Sequence, residues 1–407
     1  MIVGGKAQFK QGQSKSGPGN EVCRLAGVSR QCEALSHRLA VAGSFDFLRA
    51  TLQTDGGLSR PPCHVCRPPP PGSPRSPTGS ARTLGSIEPL RKALPQVLRC
   101  ELENGRMDVL ITGGTGFIGK QLVERLGSAF VVTRNVERAR QSHWPQNTTL
   151  LAWNDQSRPL QLPAEVRPSA VVNLMGESVA GQRWTDAFKR RLRESRIEGT
   201  RQLIAGLRAS GCLPRVFVSA SAVGYYGHRG DEELAETAGP GSDFLAQLAV
   251  DWEAVTQPLI AEGVRVVWLR IGIVLGRDGG ALAQMLPIFR WGLGGRLGSG
   301  RQWFPWIHEQ DVVGLIHWAL QTEAIAGPVN AVAPGCVTNQ EFTTALGRQL
   351  RRPTILPAPR FGLKLALGEF ADSLLASQRV IPNVAVRGGY VFRYPELAEA
   401  LAEIFPR

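Results

Sequence analysis

The stretch that most limits what this chain can fold into is Thr112-Gly113-Gly114-Thr115-Gly116-Phe117-Ile118-Gly119. It follows the short apolar run Val109-Leu110-Ile111, and Ile118, Leu122, Val123 and Leu126 then recur at helical spacing. The order is strand, glycine turn, helix. The turn satisfies G-x-G-x-x-G from Gly114 and G-x-x-G-x-x-G from Gly113. Gly113 permits a tight turn, Gly116 lets the backbone approach a pyrophosphate, and Gly119 allows the helix to pack close to the strand. The helix N-terminus, with its unsatisfied N–H groups, then faces the anion. In this setting the motif reads as the pyrophosphate turn of a dinucleotide site.

The next apolar run, Phe130-Val131-Val132, ends at Thr133-Arg134. A dinucleotide site that prefers NAD places an acidic residue here against the ribose, whereas an Arg accommodates a 2′-phosphate. Arg134 therefore favours NADP(H), the alternative being a solvated loop cation. Further strands are expected at Ala170 to Gly176, Val216 to Ser219 and Val264 to Ile273, with a helix from about Asp186 to Ala209 between the first two. Strands alternating with helices imply an α/β fold, a Rossmann-type doubly wound parallel sheet with ligands at the carboxyl ends of its strands.

Residues 1–106 are built differently. They hold 15 Lys/Arg against 7 Asp/Glu, which is +8 of the +13 net charge, and no Trp or Tyr. With Pro61, Pro62, the Pro68 to Pro71 run and a Ser/Gly/Pro/Arg stretch, they cannot bury enough apolar surface to offset chain entropy, so a disordered extension is expected. A start at Met107, with the preceding residues an over-extended reading frame, is the other expectation. Cys63-His64-Val65-Cys66 resembles half a zinc site, but no second ligand pair follows at zinc spacing. No metal, targeting segment or membrane span is expected, and without interleaved aromatics the basic segment does not read as nucleic-acid binding. The two later cysteines, Cys212 and Cys336, suit a reduced cytoplasm. The domain expectation is 1–106 extension, 107–275 NADP(H)-binding domain, and 276–407 substrate-side lobe with a small helical C-terminal domain.

Four segments in order carry a resemblance: the Thr112 to Gly119 turn, Asn173-Leu174-Met175-Gly176-Glu177, Ser219 to Gly227, and Phe304-Pro305-Trp306-Ile307-His308. Over 107–407 the chain resembles an extended short-chain dehydrogenase/reductase of the atypical epimerase-family branch, whose members carry a small C-terminal domain. The resemblance implies that Gly113, Thr115, Gly116, Phe117, Ile118 and Gly119 hold the pyrophosphate and that Thr133 and Arg134 meet the 2′-phosphate. It implies that Leu174, Met175 and Gly176 run beside the ribose and nicotinamide, that Arg196 reaches the cofactor, and that Val274 flanks the nicotinamide. The alternative for Arg196 is plain surface charge.

The catalytic part of the pattern departs from that family. A Tyr-x-x-x-Lys pair is expected, because a phenol with its ordinary pKa near 10 is poorly poised at neutral pH. None of the four tyrosines, 225, 226, 390 and 394, has a Lys four residues on, and Phe244 or Leu245 stands where the family's Tyr would begin its helix. Ser221, at a strand end, and Tyr225 or Tyr226 in the following loop are the remaining candidates, with Arg229 a potential neighbour. Trp291, Trp303, Phe304 and Trp306, among Arg290 and Arg296, could stack on a ligand or pack a loop. His308 is expected to be structural and Asp311 to cap a helix over Val312 to Leu320. Helices are also expected over Thr338 to Leu350 and Phe361 to Leu375. Two functions follow: an NADP(H)-dependent reductase, epimerase or dehydratase acting on a small carbonyl or sugar-nucleotide substrate, or a protein that binds NADP(H) and regulates without turnover. Homodimerisation is left open.

Overall fold

A strand covered on both faces must be apolar throughout, and the strands of the central sheet follow this except at the edge strand Asn147–Ala152, which is half polar and largely exposed. In the computed structural model, which describes residues 107–406 except Gly181, they are β1 (Val109–Thr112), β2 (Ser128–Thr133), β3 (Asn147–Ala152), β4 (Ala170–Asn173), β5 (Val216–Ala222), β6 (Arg265–Ile271) and β7 (Gly327–Ala331). The extension expected over 1–106, with its Cys63-His64-Val65-Cys66, lies outside the described residues. All seven strands pair in parallel in the order β3-β2-β1-β4-β5-β6-β7. This is the doubly wound arrangement expected from the sequence. Its order reverses between β1 and β4, the place where such sheets open a crevice for ligands.

Alternate residues of each strand serve opposite faces. Ile111, Val131, Val172, Val218 and Leu269 point to one core, closed by Leu122 and Val123 of helix α1 (Phe117–Leu126). Leu110, Val132, Val171, Phe217 and Trp268 point to the other, closed by Leu203, Ile204 and Leu207. The helix expected over Asp186 to Ala209 is in fact three pieces: α2 (Asp186–Arg193), a π-helical stretch (Glu194–Glu198) and α3 (Gly199–Ala209). Helix α4 (Phe244–Thr256) follows β5, with Asp243 capping its N-terminus through Ala246 N–H at 2.9 Å.

The later half interleaves with the sheet. Helix α5 (Gly280–Arg290) belongs to a separate apolar cluster, whereas α6 (Glu309–Gln321) covers the first core with Val312, Leu315 and Ile316 and is followed by the last sheet strand, β7. Helix α7 (Asn339–Leu350) begins in a capping box between Thr338 and Glu341. The helix expected over Phe361 to Leu375 is broken at Gly368, which sits at φ +63°, into α8 (Arg360–Leu367) and α9 (Phe370–Leu374). The C-terminal helix α10 (Leu397–Ile404) packs Leu397, Leu401 and Ile404 against Phe289 of α5 and Phe342 and Leu346 of α7.

Candidate functional site

The crevice between β1 and β4 is fixed by a chain of buried hydrogen bonds. Thr112 Oγ1 donates to Asn173 Oδ1 at 2.6 Å, and Asn173 Nδ2 donates to Thr200 Oγ1 at 2.9 Å, which also accepts from Trp252 Nε1 at 3.0 Å. The glycine turn rises from this base. Gly113 lies at φ +69°, and a Cβ there would fall 2.5 Å from the Leu174 carbonyl oxygen. A Cβ on Gly119 would fall 2.6 Å from the Gly114 Cα. Only glycine fits at either place.

Gly116 is the N-cap of α1, and no side chain caps the helix; its first turn carries no acidic residue either. The Gly116 N–H closes the turn onto Gly113 O at 2.9 Å, and Thr115 and Gly116, at the start of the helix, are exposed. Helix N-terminal N–H groups left without a capping side chain, together with the positive end of the helix dipole, make a cradle suited to a phosphate. The Phe117 ring turns away from it and packs on Gly276 and Gly279, so Phe117 offers its backbone rather than its side chain. Ile118 packs into the first core.

Thr133 ends β2 with its hydroxyl turned back on Asn135, accepting the Asn135 N–H at 3.3 Å, and Arg134 follows, exposed. Beyond β4, Met175 is buried with its thioether against Gly199, so only its main chain lines the crevice. Gly176 lies under the guanidinium of Arg196, whose Cζ would be 3.1 Å from a Cβ at that position. Arg196 sits within the π-helical stretch, donates to Glu177 O at 2.9 Å and lies 5.2 Å from the Trp252 ring centroid. Burial pushes its pKa down to about 10, with the Glu177 charge opposing. A half-buried cation with no carboxylate at hydrogen-bond distance among the described residues suits an anionic ligand. Val274, in the short strand Ile273–Leu275, pairs beside Ile307 and turns its carbonyl toward Gly280.

Two of the three candidate catalytic residues, Ser221 and Tyr226, meet in a buried polar network that the sequence did not reveal, and the Tyr225 ring lies against it. Ser221 Oγ donates to Glu253 Oε1 at 2.7 Å, and Arg270 grips the same carboxylate through Nε and Nη2, each at 2.9 Å. Arg270 Nη1 donates to Tyr226 OH at 3.0 Å, which donates to Asn330 Oδ1 at 2.7 Å. The Asn330 N–H in turn reaches Glu236 Oε1 at 3.1 Å. The Arg270 Cζ lies 3.4 Å from the Tyr225 ring centroid. Burial opposes the charge on Arg270, and Glu253 more than offsets it, holding the guanidinium above its ordinary range. Burial pushes the Tyr226 phenol up against the pull of Arg270, so it is further from neutral titration than a free tyrosine. Tyr225 is partly exposed and its ring carries the only one of the three hydroxyls not tied into this network. Arg229 does not approach either tyrosine; it forks onto Glu232 at 2.8 and 2.6 Å. Arg270, Glu253, Asn330 and Glu236 were missed. The one available signal was a lone Arg inside the apolar strand pattern Val266-Val267-Trp268-Leu269-Arg270-Ile271, which demands a buried partner.

Two further expectations change. The helix expected from Val312 starts at Glu309, and its cap is His308, whose Nδ1 accepts the Gln310 N–H at 3.2 Å. Asp311 is not a cap. Its carboxylate accepts the Arg393 N–H at 2.7 Å, the Tyr394 N–H at 2.9 Å and Tyr390 OH at 3.2 Å, anchoring the C-terminal segment. Of the lobe aromatics, Trp306 and Phe304 are buried, Phe304 stacking on Phe342 at 4.3 Å, whereas Trp291 is 82% exposed.

Comparison with known proteins agrees with this geometry. The model of the NAD dependent epimerase/dehydratase family matches residues 109–331, and a domain of unknown function, DUF1731, matches 358–404. An epimerase family protein of Mycobacterium bovis is 44% identical over 295 residues, 72% of this chain and 96% of its own. The Bacillus subtilis epimerase family protein YfhF is 34% identical, covering 73% of this chain and 98% of its own. The crystal structure of the human epimerase family protein SDR39U1 with NADPH superimposes with a TM-score of 0.66 at 35% identity, over 73% of this chain and 99% of that one.

Proposed function

Because the chain belongs to the NAD dependent epimerase/dehydratase family, we propose that it binds NADP(H) and acts in the cytoplasm as a reductase, epimerase or dehydratase on a small carbonyl or sugar-nucleotide substrate. One observation carries the reading: the uncapped N-terminus of α1, under a turn with no room for side chains at Gly113 and Gly119, stands at the crevice where the strand order reverses. Exposed Arg134 at the end of β2 and half-buried Arg196 supply cationic contacts for the 2′-phosphate and the remainder of the nucleotide. The human relative solved with NADPH supports the same preference. When bound, the nicotinamide supplies hydride transfer. The chain's own part is to bind, orient and manage protons. Phe244 and Leu248, near where the family's acid–base pair would sit, exchange none. Tyr225, beside the Arg270 guanidinium, is the group left to meet a substrate oxygen, while Ser221 and Tyr226 hold Arg270 and Glu253 in place.

The test is NADPH oxidation, followed by nicotinamide absorbance, across a panel of carbonyl compounds and sugar nucleotides. Tyr225→Phe should lower kcat by about 10²- to 10⁴-fold and leave NADPH affinity unchanged. Turnover that survives the substitution removes Tyr225 from the mechanism. A second reading, a regulatory protein that binds NADP(H) without turnover, is favoured by the commitment of the Ser221 and Tyr226 hydroxyls to buried partners. Tight NADPH binding with no oxidation across the panel would favour it.

A further inference from the structure

Ten large apolar side chains are exposed among the described residues, and seven of them fall in two segments that pack together. Ile288, Trp291 and Leu293 lie at and just beyond the end of α5; Ile355, Leu356, Phe361 and Leu365 lie between α7 and the end of α8. The segments are joined by Ala358 N–H to Arg296 O and Gly298 N–H to Ala358 O, both 2.9 Å, and by Gly292 lying against Pro353. No residue of α8 is buried.

The charge of this face is as lopsided as its polarity. Residues 279–308 and 342–368 contain eight Arg or Lys and no Asp or Glu, with the exposed acids Asp278, Glu341 and Glu369 at their borders. All eight are exposed. Arg360 and Lys364 share Asp372 of α9 at 3.2 and 3.1 Å, while Arg290, Arg301, Arg348, Arg351 and Arg352 have no carboxylate partner among the described residues. An apolar patch of this extent on a surface marks a docking site, and its rim selects the occupant. A second copy, docked about a two-fold axis, would bring the patch against itself and set cations against cations, with Asp372 already shared between Arg360 and Lys364. Nucleic acid would use the arginines but has no use for Ile288, Leu293, Ile355, Leu356 and Leu365. An anionic bilayer answers both features: lipid phosphates meet the arginines, and Trp291, Phe361 and the aliphatic side chains enter the boundary between headgroups and acyl chains.

We propose that this face docks the protein on the surface of an anionic membrane, without spanning it. The full chain is mixed with sedimenting vesicles of phosphatidylcholine alone, and of phosphatidylcholine and phosphatidylglycerol in equal parts, at low and high salt. Binding to the second only, weakened by salt, is expected. Because the basic residues 1–106 could also adhere to acidic lipid, the decisive arm is a pair of surface variants, Trp291→Glu with Phe361→Glu, and Arg351→Glu with Arg352→Glu. Each pair should weaken binding at least about tenfold with an unchanged melting temperature and NADPH affinity. The proposal is overturned if both pairs bind like the parent, or if the parent ignores anionic vesicles. It is equally overturned if the parent is a dimer that Trp291→Glu dissociates, or if it prefers an acidic polypeptide such as polyglutamate to the vesicles.

Discussion

Arg270 concentrates more of the site's energetics than any other side chain. Its relative exposure is 4% and that of its partner Glu253 is 9%, so neither charge can be answered by water if the other is removed. Arg270→Ala or Glu253→Ala should therefore destabilise the fold by about 3–5 kcal/mol, measured by urea denaturation, and a loss below about 1 kcal/mol would mean that the pair behaves as a surface bridge. Gly119→Ala belongs to the same scale: its Cβ has no space between Gly113 and Gly114, so NADPH binding should fall together with a stability loss of about 1–3 kcal/mol. Gly119 was legible in the sequence because its spacing within the turn states its job. Glu253 was not, since nothing in a helical sequence tells which of its acids turns inward to meet an arginine from another strand.

At the scale of elements, the parallel doubly wound class and five of the seven strands were legible from apolar runs, while the strand order, the strands Asn147–Ala152 and Gly327–Ala331 and the helix ends were not. The π-helical stretch at Glu194–Glu198 and the break at Gly368 depend on what each segment packs against. Asp311 has the composition of a helix cap, yet three donors from the 390–394 segment claim its carboxylate, and His308 takes the cap instead. His308 makes a prediction of its own. Its Nδ1 accepts a backbone N–H, so Nε2 carries the proton toward Glu403 at 3.0 Å and the ring is neutral. Burial holds its pKa below the ordinary 6.5, against the opposing pull of Glu403. The folded state thus takes up a proton less readily than the unfolded chain, and the stability this confers is complete above pH 6.5 and lost as the pH falls below it. His317, also lowered by burial, adds in the same direction. Thermal melts on either side of that pH should show the loss, and His308→Asn, which keeps a capping oxygen, should reduce it. An unchanged acid dependence in that variant would place the effect elsewhere.

The described residues present two differently charged tasks: a crevice at the sheet's carboxyl edge that receives a nucleotide, and an exposed, arginine-rich apolar face built from the end of α5, the segment between α7 and α8, and α8. The first was readable as a motif in chain order. The second was not, because a sequence shows that acids are missing but not that seven apolar side chains stay in water. For the same reason the expectation that membranes play no part rested on the lack of an apolar span, and no helix among the described residues is long and apolar enough to cross a bilayer. Docking on a surface needs neither. The reaction itself was the least legible part, since the departure from a Tyr-x-x-x-Lys pair states what is missing and leaves its replacement to geometry.

Calorimetric titration of NADPH and NADH into the full chain and into Arg134→Asp tests the cofactor preference most directly. The parent should bind NADPH more tightly than NADH, and Arg134→Asp should lose about 10- to 100-fold for NADPH, as expected for charged hydrogen bonds to a 2′-phosphate, while NADH affinity is unchanged. Equal affinity of the parent for the two nucleotides, or no binding of either, would contradict it.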